Sequence, residues 1–169
     1  MYHRVMTDMA IATEIATRLA IATLIGAGVG LDRELRHRPA GLKTHALVAL
    51  GAATVVAATA SLTNIHNPDS AAITRVIQGV IAGIGFLGGG AILKSGGEVI
   101  QGLTTAASIW VVAAIGVACG AGEFAPALIA LVITLVILIF GNAVERWIGR
   151  RASAAFSPPP PSGSGPERP

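Results

Sequence analysis

The stretch Asp32-Arg-Glu-Leu-Arg-His-Arg-Pro39 is the densest run of charged side chains in the 169-residue chain, and it lies between two apolar runs. If a helix continues through it, Asp32 faces Arg36 and Glu34 faces Arg38, each at i and i+4. Solvated pairs of this kind contribute only about 0.2–0.5 kcal/mol each, so stability alone is a weak reason to crowd them there. Asp32 stands where the preceding apolar run ends, which predicts partial desolvation and dependence on a basic neighbour or a bound cation. Hard divalent cations take oxygen ligands, and Asp32, Glu34 and Glu98 are carboxylates that two loops could supply. Their spacing has no EF-hand order, so a structural ion-pair cluster is the competing reading. Nucleophilic catalysis finds less support. Ser108, Cys119 and the four histidines, His3, His37, His45 and His66, form no local nucleophile motif, and no enzyme is expected.

The elements that position these groups are set by composition. The chain is 53% hydrophobic and 12% charged, about half the charge of a soluble domain, with a mean hydropathy of +0.69. An integral membrane protein follows, with the lipid bilayer as its first partner. The formal charge of +3 does not point to nucleic acid, because the basic residues cluster beside apolar spans, where the positive-inside rule accounts for them. Cys119 is the single cysteine and lies in an apolar run, where it packs as a small hydrophobe.

Uncharged runs cover Leu19 to Leu31, Ala46 to Ile65, Val76 to Leu93, Val99 to Gly122 and Phe124 to Val144. The last four reach the ~20 residues of a membrane span or come near it. The first is too short and must extend backward through Arg18 and Glu14, which stand at i and i+4 in the favourable order for a helical ion pair. That pair either snorkels into the interface or serves within the bilayer. The fold expected is all-α and polytopic, with five transmembrane helices. Arg33, Arg36, Arg38 and Lys43 in the first loop, Lys94 in the third, and Arg146, Arg150 and Arg151 after the fifth span predict an outside N-terminus and a cytoplasmic C-terminus. Residues 1–150 form the transmembrane domain, and the proline-rich segment 151–169 is expected to be a disordered cytoplasmic tail.

The third span carries Gly79, Gly83, Gly85, Gly88, Gly89 and Gly90. In water each glycine would cost a helix roughly 1 kcal/mol relative to alanine, whereas in lipid small residues let helix backbones approach closely. Gly79-xxx-Gly83 and Gly85-xxx-Gly89 therefore predict a tightly packed helix, and such faces also suit a membrane-protein partner or a homo-oligomer. Gly83-x-Gly85-x-x-Gly88 matches a dinucleotide fingerprint by letter only, since no strand–turn–helix context surrounds it.

Gly41-Leu-Lys-Thr-His-Ala46 and Gly102-Leu-Thr-Thr-Ala-Ala107 share the pattern G-L-x-T-x-A, each opening an apolar helix after a short polar loop. Spans one and two thus read as a hairpin repeated by spans three and four, related by an axis along the membrane normal. Such repeats often hold a site at their interface. Here that interface would join the two loops to the N-termini of spans two and four, with Thr44 and Thr104 or Thr105 as helix caps. The expected polar cluster is Asp32, Arg33, Glu34, Arg38, Lys43, Thr44, Glu98, Thr104 and Thr105.

Gly30-Leu-Asp-Arg-Glu34, Arg38-Pro-Ala-Gly-Leu-x-Thr-His-Ala-Leu-Val-Ala-Leu-Gly51, Gly83-Ile-Gly-Phe-Leu-Gly-x-Gly-x-Ile-Leu93 and Gly102-Leu-Thr-Thr-Ala-Ala-Ser108 resemble the MgtC/SapB family of bacterial inner-membrane proteins. The resemblance covers roughly Arg18 to Gly120. It implies a five-span plasma-membrane protein linked to growth at low magnesium and, in pathogens, to survival inside host cells. It also implies restraint of the F-type ATP synthase rather than magnesium transport, with a magnesium transporter or channel as the alternative. Lys43 stands where the family usually has arginine, keeping the charge but losing the guanidinium fork. The ACT-like cytoplasmic domain of longer members is expected to be absent, and functions that need it are not expected here.

Overall fold

The computed structural model describes residues 2–65, 67–94 and 100–155, so Glu98 and everything beyond Ala155 lie outside the described residues. Five helices follow in order: α1 (Tyr2–Leu35), α2 (Leu42–Thr63), α3 (Ser70–Ala91), α4 (Leu103–Ala121) and α5 (Phe124–Ala155). All five contain a stretch long and apolar enough to cross a membrane. Two-residue strands, β1 (Leu93–Lys94) and β2 (Ile100–Gln101), pair antiparallel between α3 and α4. The first helix does extend backward as expected. Its 34 residues span about 50 Å, well beyond the ~30 Å of hydrocarbon. At the other end, α5 continues past residue 150 and runs to Ala155.

Helix α1 stops before the first loop is finished. His37 takes a left-handed φ of 52°. Its N–H reaches the Glu34 carbonyl while the Arg38 N–H reaches the Arg33 carbonyl, the paired closure that ends a helix at a left-handed residue. Pro39 reinforces the stop by disfavouring helical geometry at Arg38. Residue 38 therefore never occupies the i+4 position above Glu34, and the expected Glu34–Arg38 pair is not among the described ion pairs. The expected Asp32–Arg36 pair forms, with Arg36 Nε donating to Asp32 Oδ1 at 2.8 Å.

The core is built on the alanine-rich face of α2, which lies between α1 and α4. Ala49, Ala52, Ala53, Val56, Ala57 and Ala60 are buried along it. Glycines of both neighbours meet this face. A Cβ at Gly26 would stand 2.6 Å from the His45 carbonyl oxygen, and one at Gly30 would stand 2.6 Å from Leu42 Cα. Across the other side, a Cβ at Gly116 or Gly120 would stand 2.5 Å from the carbonyl oxygen of Ala49 or Ala53. Small residues on one helix and glycine on the next allow backbone-to-backbone approach without a hydrophobic driving force. Helix α4 touches every other helix of the bundle.

Within the chain, the glycines of the third span do not make the close helix contact expected of them. Ile84 is the one buried residue of α3, and within the chain a Cβ at Gly79, Gly83, Gly85, Gly89 or Gly90 meets nothing within 4 Å. At Gly88 it would reach only ordinary contact with Ala106, at 3.8 Å. The reason is placement: α3 leans on α4 from the outside through its aliphatic edge, while the glycines face elsewhere. Small-xxx-small packing does hold the fold, through Gly26/Gly30 and Gly116/Gly120.

Arg18 and Glu14 pair as expected, at 2.5 Å, but Arg18 does not snorkel outward. It is 8% exposed, and its Nη1 donates to the Gly120 carbonyl at 3.0 Å. That carbonyl belongs to the last turn of α4, where helix acceptors lack intrahelical donors. Gly122, at φ 85°, completes the end, as Glu123 N–H returns to the Ala118 carbonyl at 2.8 Å. Arg18 thus ties α1 to the C-terminus of α4. Arg18→Met is expected to keep the packing volume but lower detergent thermal stability by about 1–3 kcal/mol, the cost of unpairing a buried acceptor. An unchanged melting temperature in Arg18→Met would show that this link is incidental.

Candidate functional site

At the opposite end of the bundle, the chain reversal after α1 brings the charged loop against the start of α4. A cavity of about 700 Å³ opens there, walled by the end of α1, the loop through Arg38 and Pro39, the first residues of α4, and Ile137, Leu138 and Gly141 of α5. Asp32, Arg33, Arg36, Arg38, Thr104 and Thr105 all line it. Two loops that are far apart in sequence therefore share one site. Helix α4 can start at this point because Gly102 takes a φ of 91°, where a Cβ would also collide with the Ala91 carbonyl.

Beneath the cavity floor runs a hydrogen-bonded chain through three helices. Arg33 of α1, 4% exposed, donates from Nη2 to the hydroxyl of Thr105 on α4. One turn further, Ser108 Oγ lies 2.9 Å from the Thr105 carbonyl and 3.0 Å from Nε2 of His45 on α2. His45 is fully buried, and its Nδ1 lies 2.9 Å from the Gly41 carbonyl. A carbonyl only accepts, so Nδ1 carries a proton. Ser108 has one hydroxyl proton for two facing acceptors, the Thr105 carbonyl and, in the neutral ring, Nε2. The network fixes the rotation of α1, α2 and α4 about their axes directly under the cavity.

Among the described residues, two polar atoms at this site are buried and have no hydrogen-bond partner: Asp32 Oδ2 and Arg33 Nε. Asp32 Oδ1 is occupied by Arg36, and Arg33 uses Nη2 on Thr105, so each residue is half satisfied. Among the described residues the wall contains three guanidinium groups and one carboxylate.

The residues expected in the polar cluster divide. Asp32, Arg33, Arg38, Thr104 and Thr105 meet in the cavity. Glu34 is exposed and turns to α2, where its Oε2 accepts from the Leu42 N–H at 2.8 Å. This bond does the capping expected of Thr44; the N-cap position of α2 is Gly41, which has no side chain to offer. Lys43 and Thr44 are exposed and do not line the cavity. The capping role of Thr104 and Thr105 is likewise corrected, since α4 is capped at Gly102 without a side-chain bond, and Thr105 receives Arg33 instead. Among the described residues no group of three His, Cys, Asp or Glu side chains could hold a metal, and Glu98 of the expected carboxylate trio lies outside them. Motif and charge patterns do not mark His45 and Ser108 as part of the site. The available signal is helical register: His45 continues the buried Ala49, Ala52, Val56 and Ala60 row, and Ser108 continues the Thr105, Val112 and Ile115 row.

A family model described as "MgtC family" matches residues 19–147. Protein MgtC of Brucella abortus (strain 2308) is 45% identical over 122 residues, 72% of this chain and 49% of that protein. Protein MgtC of Salmonella typhimurium (strain 14028s) is 47% identical over 117 residues, 69% of this chain and 48% of that protein. Protein SapB of Bacillus subtilis (strain 168) is 40% identical over 142 residues, 80% of this chain and 60% of that protein. The chain spans about half the length of the MgtC proteins it matches. No solved structure matches it.

Proposed function

The chain belongs to the MgtC family, and from that premise we propose that it is a non-enzymatic membrane regulator in adaptation to low magnesium, acting on another membrane complex such as the F-type ATP synthase. The proposed setting is the bacterial inner membrane, with the N-terminus outside and the cavity open to the cytoplasm beside Arg33, Arg36, Arg38 and Lys43. Residues 1–150 would form the acting membrane unit.

One observation carries the preference for regulation over transport. Between the His45–Ser108 network at one end and Arg18 at the other, the contact of α1, α2 and α4 is filled by Ala22, Ile25, Val29, Ala49, Ala53, Val112, Ile115 and Cys119. An ion crossing this core would have to shed its water without replacement ligands, which hydrocarbon-like surroundings penalise heavily. Among the described residues of the wall, three guanidinium groups outnumber the Asp32 carboxylate, which also disfavours a divalent cation at the mouth. Magnesium uptake by the purified protein in proteoliposomes would overturn the regulatory reading in favour of a transporter or channel.

Asp32 is the side chain on which this reading most depends. Asp32→Asn is expected to abolish complementation of growth at low magnesium while the protein still reaches the membrane, and Glu14→Gln is expected to do so less. Full complementation by Asp32→Asn, at normal membrane abundance, removes Asp32 from the function.

A further inference from the structure

We propose that the outward face of α3 is a dimer seam, on which the α3 helix of a second copy of this chain packs in parallel with Gln78 meeting its own counterpart. Gln78 is the one polar side chain in the uncharged run from Val76 to Ala91. It stands about 12 Å along a helix about 33 Å long, which places it inside the hydrocarbon. Its side chain is exposed on the surface of the bundle, and among the described residues no hydrogen bond reaches its amide.

Lipid offers such a group nothing. An amide in hydrocarbon without a partner is heavily penalised, and water does not reach it there. The hydroxyls of other spans show how the chain meets the same problem: Thr23, Thr54 and Thr134 each donate to the carbonyl four residues back, at 2.7, 2.7 and 2.6 Å. Gln78 makes no such bond, and its amide has two donor hydrogens and an acceptor oxygen to place. In a membrane helix a glutamine finds these partners on another helix.

The residues around it have the spacing of a helix seam. Gln78, Ala82, Gly85 and Gly89 follow at intervals of four, three and four, and at about 100° per residue they fall within roughly 60° of one another. All four are exposed, and a Cβ at Gly85 or Gly89 meets nothing within 4 Å. Ile77, Val80 and Ile84, which line the contact with α4, lie on the other side of the helix. An exposed apolar group such as Phe86 carries no weight here, because lipid covers it as well as protein does. Small residues in line with an amide differ, since they let two backbones come close enough for the amides to bond.

Symmetry selects a second copy over an unlike membrane protein. Copies of one chain insert the same way, so a two-fold axis along the membrane normal sets their α3 helices parallel and brings Gln78 to the same depth in each. An amide is its own complement, donor to acceptor in both directions. About that axis Ala82, Gly85 and Gly89 also face themselves, and a spacing of about 3.5 residues keeps them in register along a left-handed crossing.

Förster transfer between full-length chains carrying C-terminal donor or acceptor fluorescent proteins tests the seam in phosphatidylcholine liposomes, over a range of protein-to-lipid ratios. The unaltered chain should transfer above the level of random proximity. Gln78→Leu removes the amide and Gly85→Leu fills the seam, and each should weaken apparent association by about fivefold or more. Both positions face away from the rest of the chain, so detergent melting temperatures should not fall, which separates lost association from lost fold. Gly83→Leu, on the side of α3 that borders α2, should associate as the unaltered chain does. Random-level transfer in the unaltered chain, as lipid alone or an unlike protein on this face would give, overturns the proposal. So does unchanged association in Gln78→Leu, or a loss in Gly83→Leu equal to that in Gly85→Leu. The readout is association, so it stands or falls independently of magnesium-limited growth.

Discussion

Gly120→Leu and Gly116→Leu should prevent the native bundle from forming, or lower its detergent melting temperature further than Arg18→Met does. A Cβ at either position would lie 2.5 Å from a carbonyl oxygen of α2, and at Gly120 also 2.9 Å from Ala53 Cα. These neighbours are backbone, which cannot rotate aside, so α2 and α4 must separate along their contact. Overpacking a well-packed core typically costs about 1–3 kcal/mol, and a leucine set against backbone lies at or beyond the top of that range. Gly83→Leu and Gly85→Leu provide the contrast. Within the chain a Cβ at either position meets nothing within 4 Å, and glycine is a poor helix former, so neutral or slightly raised stability is expected. Thermal unfolding of the four variants in one detergent decides the matter: equal losses at positions 83 and 120 would show that a second molecule covers α3.

His45→Ala is expected to give the next largest loss. The ring is fully buried and spans the α2–α4 contact, so its removal leaves a cavity of the kind that costs about 2–5 kcal/mol for an aliphatic truncation. It also removes one of the two hydrogen bonds of Ser108 Oγ, 3.0 Å away, and one of the two to the Gly41 carbonyl, 2.9 Å away. His45→Phe retains most of the volume, so the difference between the two variants reports the packing part, and the loss that remains in His45→Phe reports the polar part. That polar part should be modest, since interhelical hydrogen bonds in membrane proteins average about 0.6 kcal/mol in double-mutant cycles. A cycle pairing His45→Phe with Ser108→Ala measures it directly. Additive losses would mean that the His45–Ser108 contact contributes nothing, and that packing alone makes the position sensitive.

Much of the architecture is legible without coordinates because it depends on local, one-dimensional quantities. The membrane setting follows from low charge and high hydropathy. The five helices follow from run length, and the backward extension of α1 follows from the shortfall of its uncharged run against the bilayer. The i, i+4 pairs Glu14–Arg18 and Asp32–Arg36 follow from helix geometry, because both partners sit on one unbroken helix. The repeated G-L-x-T-x-A pattern and the chemistry of Asp32 and Arg33 mark the loops that do meet at the cavity.

What cannot be read is which of several equivalent faces turns inward. Gly26, Gly30, Gly116 and Gly120 share their small-xxx-small spacing with the glycines of α3, and nothing in a single helix says which set another backbone will meet. The bundle decides it by placing α2 between α1 and α4 and leaving α3 outside. Glu34 and Arg38 show the same limit on a smaller scale, since a left-handed His37 ends α1 and releases Glu34 to cap α2. Thr44 and Thr105 occupy matching positions of the repeat, yet only Thr105 is buried and receives a guanidinium. Sequence alone therefore determined the membrane setting, the five helices and the charged residues available at their ends, because composition and periodicity act within each segment. The tertiary structure alone decided which glycines touch, which threonine is used and which atoms of Asp32 and Arg33 remain unpaired, because those depend on distances between segments that periodicity leaves free.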